Sequence, residues 1–334
     1  MVFRLSSLIF LILNSSFFCY AQDFKITGRL QNEKDLSPIS YANIGILNSP
    51  IGTISNEDGS FEITIPEEYQ NDRLLFAALG YERKSYLVKS LGNDEKLIVN
   101  LKEQSTMLDN VIIKSKKLKP SVTAELGNQY HNEGSIYADS SAAGSAMALL
   151  IENKYPAYHP EITFPFHVKN ARLRISHNTF DNFKIRIRFL SVDSITGLPD
   201  KDLYNESIIT SSGMKTGWLK FDLEKNNIRI NAPAFFLVFE WLLEDDDRLL
   251  LLEQYKEFRR QFPEKVTVDT LMLEGEKITF NSWHGFRAGT SFGSSSNKLS
   301  LDHYKSYYRS NSYGKWKRSS FILTARVTVA NYAN

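Results

Sequence analysis

The chain has 334 residues, with 40 basic against 38 acidic side chains, six histidines and one cysteine. A net charge of +2 supplies no global field for nucleic acid. With 42% apolar residues, and beyond the N-terminus neither an apolar run of membrane-spanning length nor the long strand series of an outer-membrane barrel, the composition excludes disordered and membrane-spanning classes.

In chain order, residues 1–21 read as a cleavable export signal. Arg4 gives a positive start, Leu8 to Phe18 is apolar apart from Asn14, Ser15 and Ser16, and Ala21 is the small residue that a signal peptidase needs. The run is too short to cross a bilayer as a helix. Cys19 would be a lipidation site only if cleavage fell just before it, and Phe17 and Phe18 are too large for that processing. Cleavage after Ala21 would leave a chain without thiols, which excludes disulfides, a cysteine nucleophile and thiolate metal sites. The remaining chain of about 310 residues is long enough for two domains that each bury a core.

Residues 22–113 carry short apolar strands separated by turn residues: 24–30, 42–47, 59–65, 74–78, 85–88, 97–101 and 111–113. That spacing predicts a β-sandwich. In Ser60-Phe61-Glu62-Ile63-Thr64-Ile65 the alternation has period 2, and the turn residues Asn56-Glu57-Asp58-Gly59 before it predict a hairpin. Asn56 and Asp58 are also candidate ligands for a hard cation, but the twelve-residue ligand loop of calcium sites is missing, so a turn is the better reading.

The runs Ile26-Thr27-Gly28-Arg29-Leu30, Ser40-Tyr41-Ala42-Asn43-Ile44, Gly52 to Phe61 and Leu79-Gly80-Tyr81 resemble the carboxypeptidase regulatory-like domain. Leu108 to Ile113 resembles the end of such domains in front of TonB-dependent receptors. The resemblance implies a seven-stranded transthyretin-like sandwich that serves as an accessory and has no catalytic residues of its own. No plug or barrel strands follow Ile113, so a receptor function is not implied, and neither is a peptidase.

Residues 114–123, lysine-rich and interrupted by Pro120, are expected to link two domains. Residues 124–334 read as a second, jelly-roll-like β-sandwich with one inserted helix, which makes the whole chain all-β. Ala171, Leu173 and Ile175 alternate with Arg172 and Arg174; Phe183, Ile185, Ile187 and Phe189 alternate with Lys184, Arg186 and Arg188. The two segments are expected to pair as a hairpin with a basic outer face. Residues 234–242 are apolar on both faces, as in a central strand between packed layers. Further strands are expected at 217–223, 265–273, 277–280 and 320–329, and an amphipathic helix at 248–262, stopped by Pro263. The pieces 198–203, 217–223 and 235–241 are similar to a domain that follows the regulatory-like module in exported proteins, and the fold it implies resembles galactose-binding-like jelly rolls.

Gly289-Thr290-Ser291-Phe292-Gly293 fits the G-x-S-x-G pattern of a nucleophile elbow, which needs a strand-turn-helix and a following acid and histidine. The only such pair, Asp302 and His303, is adjacent in sequence, which is poor relay geometry. Glu240, in an apolar strand, is a candidate general acid if burial raises its pKa. His131, His159, His167, His177, His284 and His303 show no metal-ligand spacing, and no motif calls for a cofactor. Neither a catalytic nor a metal residue is therefore assigned. Trp218, Trp283 and Trp316 are candidates for stacking sugar rings, and Arg186 and Arg188, within the basic stripe, for meeting an anion. The expectation is an exported non-enzymatic envelope protein, periplasmic, outer-membrane associated or secreted, that binds a carbohydrate or protein partner. The alternatives are a hydrolase using Ser291 or a carboxylate pair, and a structural component of an outer-membrane complex.

Overall fold

A computed structural model of the chain describes residues 23–92, 96–104, 120–131, 134–137, 143–154, 156, 158–273, 276–283 and 285–332. The expected signal with Cys19, the expected strand 111–113 and residues 114–119 of the expected linker lie outside these. Pro120 already opens a strand.

The first sandwich contains β1 (Phe24–Asn32), β2 (Asn43–Gly45), β3 (Gly52–Ile54), β4 (Ser60–Ile65), β5 (Arg73–Ala77), β6 (Lys84–Leu87) and β7 (Leu97–Leu101). They form a three-stranded sheet, β4-β1-β7, and a four-stranded sheet, β3-β2-β5-β6. In β4 the period-2 pattern holds: Phe61, Ile63 and Ile65 are buried, and Glu62 and Thr64 exposed. With Ile26, Leu30, Ile44, Phe76 and Val99 they fill the space between the sheets. Gly28 permits the close packing of β1, since a Cβ there would stand 2.2 Å from the Leu97 carbonyl oxygen.

The hairpin expected at Asn56–Gly59 is not one. β4 pairs with β1 and β3 pairs with β2, so this turn carries the chain from one sheet to the other. The local turn chemistry is as expected, with Gly59 at φ 81° and Asp58 accepting from both the Ser60 amide and hydroxyl.

The second sandwich contains, in order, β8 (Pro120–Asn128), β9 (Gly134–Tyr137), β10 (Ala146–Glu152), β11 (Phe166–Asn178), β12 (Phe183–Val192), β13 (Pro199–Asp202), β14 (Ile208–Ser212), β15 (Gly217–Asp222), β16 (Arg229–Ile230), β17 (Ala234–Trp241), helix α1 (Asp245–Gln261), β18 (Val266–Leu273), β19 (Glu276–Trp283), β20 (Thr290–Ser295), helix α2 (Lys298–His303), β21 (Ser306–Arg309), β22 (Lys317–Arg318), β23 (Ile322–Leu323) and β24 (Ala325–Tyr332). One sheet runs β13-β12-β17-β10-β21-β22, with β14 beside β12. The facing sheet runs β23-β20-β11-β24-β8, with β15 and β16 beside β11 and β9 beside β20. β18 and β19 form a separate two-stranded ribbon.

The alternating residues of β11 and β12 point into the core as expected, but these strands do not pair. β11 bonds β15, β16, β20 and β24, whereas β12 bonds β13, β14 and β17. Residues 179–182 therefore cross from one layer to the other. Alternation specifies which face is buried and does not specify the neighbouring strand. Ala171, Leu173 and Ile175 meet Ile185, Ile187, Phe189, Leu237 and Phe239 across the core, and Trp241 stacks on Phe292 with ring centroids 3.6 Å apart.

α1 begins three residues before the expected start. Glu244 and Asp247 form a reciprocal capping box, and Asp245, Asp246 and Asp247 place negative charge at the helix's positive end. Its inner side sets Tyr255 and Phe258 against Phe286.

Candidate functional site

β17 is buried on both faces because its outer side is covered. Part of that cover is a satellite cluster of Ala146, Ala148, Leu190, Phe236 and Val238 beneath Tyr307 and Trp316. The rest comes from the first sandwich, where Tyr41 and Ile54 pack with Ala143 and Leu242.

This seam is polar as well as apolar. The Tyr41 hydroxyl donates to Glu244 Oε1 at 2.9 Å and accepts from Lys184 Nζ at 2.6 Å. Lys184 also pairs with Glu57 Oε2 at 2.8 Å and with Glu244. Burial pushes the Tyr41 phenol up to about 12, with Glu244 adding to the effect and the Lys184 hydrogen bond opposing it. Burial works against the Lys184 ammonium, yet the hydrogen bonds to Glu244, Glu57 and Tyr41 outweigh it and raise its pKa.

Asn56 and Asp245 bond reciprocally: Asn56 Nδ2 donates to the carboxylate at 3.0 Å, and the Asp245 amide donates to Asn56 Oδ1 at 3.2 Å. The loop after β21 completes the seam. Ser312 Oγ donates to the Thr53 carbonyl, Asn311 Nδ2 to the Ser49 carbonyl, and the Asn48 amide to the Tyr313 carbonyl. Tyr41 and Asn48 both hold left-handed backbone, at φ 55° and 59°. That conformation is uncommon for a side chain as large as tyrosine, and here contacts to the second sandwich fix it.

Beneath the seam lies a buried ionic cluster. Glu240 is fully buried and faces three arginines. Oε1 accepts from Arg309 and from Arg188 at 3.4 Å, and Oε2 lies 3.3 Å from Arg186 Nη1. Arg188 forks onto Asp202 at 2.9 and 2.7 Å, and Arg186 donates to the Tyr41 carbonyl. The register explains the convergence: Arg186 stands opposite Glu240, and Ala146 stands opposite both Glu240 and Arg309, so one small side chain lets Arg309 reach across it. Burial would raise the Glu240 pKa, but Arg309, Arg186 and Arg188 outweigh it and bring it from 4.5 down to about 2.

These findings correct several sequence readings. Arg186 and Arg188 do not lie on a solvated basic face: Arg186 is buried against Glu240 and bonded to the Tyr41 carbonyl of the first sandwich, and Arg188, its side chain 11% exposed, is held by Glu240 and Asp202. Glu240 has a lowered pKa, the opposite of what a general acid needs. Ser291 is the second residue of strand β20, fully buried, with Oγ donating to the His177 carbonyl, and the chain continues as strand after it, so it is not on a strand-turn-helix elbow. Among the described residues, no three His, Cys, Asp or Glu side chains are grouped to hold a metal ion.

Trp218 and Trp316 are not brought together. Trp316 belongs to the face beside the seam, with the Arg309 guanidinium 5.0 Å from its ring centre. Trp218 lies on the outer side of the opposite sheet, under Arg326 at 5.0 Å. The Trp283 side chain lies outside the described residues.

A shallow cleft of about 260 Å3 opens along the seam, lined by residues including Asn56, Glu57, Asp58, Glu244 and Asp245. The carboxylates of Glu57, Asp58, Glu244 and Asp245 are already engaged by Lys184, Asn56, Ser60 and Arg248. Sequence reasoning did not reach Tyr41, Lys184, Glu244 and Arg309 as a group, because they come from both sandwiches.

The seven strands, from the third residue of β1 onward, and the seam residues Tyr41, Asn48 and Asn56 fall within one segment, residues 26–113, which matches the family model of the CarboxypepD_reg-like domain. The first sandwich is a CarboxypepD_reg-like domain. The regulatory-like domain accounts for the ordered motifs from Ile26 to Ile113 and leaves the second sandwich unassigned. No curated protein matches the chain.

Proposed function

We propose that the protein is an exported, non-catalytic accessory of the cell envelope, whose regulatory-like domain and second sandwich act as one rigid unit that binds a partner. The observation that carries this reading is the seam: the regulatory-like domain is docked beside the Glu240 cluster, through charged and polar contacts from several loops to Arg186, Glu244, Asp245 and Ser312. Inter-domain contacts that open and close are usually polar and solvated, whereas parting these domains would break the Lys184–Glu57 pair and the Arg186 bond to the Tyr41 carbonyl beside a buried ionic cluster.

The reading of residues 1–21 supports export. The hydrolase alternative loses its candidates, since Ser291 is buried in a strand and both Glu240 and Asp202 are held by arginines. The full chain with a C-terminal tag would be expressed in a Gram-negative host and fractionated. The expected result is an envelope-fraction protein whose N-terminus is Gln22, without esterase or glycosidase turnover. A cytoplasmic chain that keeps Met1, or turnover abolished by Ser291→Ala, overturns the proposal.

A further inference from the structure

The outer face of the sheet β15-β11-β24-β8 carries charges in ordered cross-strand rows. Lys220 stands directly opposite Arg172, and Arg172 directly opposite Arg326. In the next row Trp218 stands opposite Arg174. The inward neighbours Leu219, Phe221, Ala171, Leu173, Ala325 and Val327 are all buried, which fixes the cations on the outer side. Lys220 is exposed and the Arg172 side chain is 41% exposed, so the row faces solvent.

Like charges placed directly opposite on neighbouring strands destabilise a sheet. Glu125 offsets part of this, bonding Arg326 and lying 3.6 Å from Arg172. Among the described residues, Lys220 and Arg174 have no ion-pair partner. With Asp222 at the end of the neighbouring row, these rows hold four cations (Lys220, Arg172, Arg174, Arg326) against two carboxylates (Glu125, Asp222), a surplus of two positive charges, while Lys169 farther along β11 is paired with Glu224. In a chain whose total net charge is only +2, that surplus is concentrated on one open face.

We infer that this face binds an acidic polysaccharide, a linear sugar chain carrying carboxylate or sulfate groups. Adjacent strands lie about 4.8 Å apart, so the three cations form a straight row with that pitch. A linear polyanion matches a straight row, and guanidinium groups fork onto carboxylate or sulfate oxygens. Trp218, half-buried beside the row, is held in place by the Arg326 guanidinium over its ring, and its π-face is the part on which sugar C–H groups would stack. The site rests on the reading of the protein as a binding accessory and gives it a ligand class and a location.

The test titrates the full chain, freed of its N-terminal signal, with alginate, dextran sulfate and neutral dextran at low salt. Binding of an acidic polymer but not of neutral dextran is expected, weakening steeply as salt screens the row. Arg172→Glu with Lys220→Glu should lower affinity at least about tenfold, the scale of a lost charge-assisted contact. Lys89→Glu, an exposed charge on the regulatory-like domain, should leave it unchanged. Lys220→Glu alone replaces a repulsion with an attraction, so its unfolding midpoint should be no lower than wild type while binding falls.

Equal binding by wild type and the double variant, or no binding to either acidic polymer, overturns the site. So does binding only to phosphatidylglycerol vesicles, which would assign the face to a membrane. If the chain fails the processing test but binds alginate through Arg172 and Lys220, the envelope reading falls and this site stands.

Discussion

Glu240 shows how far a single residue can be read from its neighbours. Its burial was legible, since Phe236 to Leu242 is apolar around it, but the sign of its pKa shift was not. The three arginines arrive from β12 and β21, which are distant in sequence. Removing the carboxylate charge by Glu240→Gln leaves those arginines without their shared counter-ion, a change expected to cost about 3–5 kcal/mol in urea unfolding at neutral pH. The pH dependence follows from linkage. The folded pKa, about 2, lies below the ordinary 4.5, so the group's contribution is fully present above the unfolded value and is lost as pH falls through the folded one. At about 1.4 kcal/mol per unit, that contribution is on the order of 3 kcal/mol. The stability gap between wild type and Glu240→Gln should therefore close as pH drops from about 5 toward 2. A gap that is constant over this range would mean that Glu240 is not held ionised by the arginines.

At the scale of elements, the sequence specified strands better than it specified their neighbours. Period-2 alternation in β4, β11 and β12 placed the right side chains inward, because burial of one face is a local requirement. Both expected hairpins failed for the same reason: in a sandwich, a short turn can join two strands of one sheet or cross between layers, and the turn residues are similar in both cases. The start of α1 was misplaced because its first turn is specified partly from outside the helix. Asn56, on the regulatory-like domain, accepts from the Asp245 amide and donates to its carboxylate. Asn56→Ala removes an acceptor for a helix-start amide together with a cross-seam bond, and it should cost about 1 kcal/mol, the usual worth of an N-terminal cap. Far-ultraviolet circular dichroism during urea unfolding would measure it. An unchanged midpoint would mean that water replaces the pair without loss.

At the scale of the whole molecule, the basic stripe of the sequence separates into two surfaces with different fates. Arg172 and Arg174, on β11, remain on the outward face proposed to bind an acidic polysaccharide, whereas on β12 Lys184 and Arg186 bond the regulatory-like domain and Arg188 is held by Asp202. No local pattern separates these groups, because what distinguishes them is the regulatory-like domain resting on one sheet only. The coupling this creates is measurable. Two sandwiches joined by a solvated linker would melt independently, the smaller one first, since it buries the smaller fraction of its surface. Here, separating them would expose a cluster of three arginines and two carboxylates and break the Tyr41, Asn56 and Ser312 bonds. Scanning calorimetry of the wild-type chain should therefore show one transition that includes both domains. Tyr41→Ala removes the hydroxyl between Lys184 and Glu244 and the ring packed on Leu242, while it leaves the core of each sandwich intact. In that variant the single transition should divide in two, with the regulatory-like domain melting at the lower temperature. Two transitions already present in wild type would show that the seam does not lock the domains together, and the rigid-unit reading would fail with it.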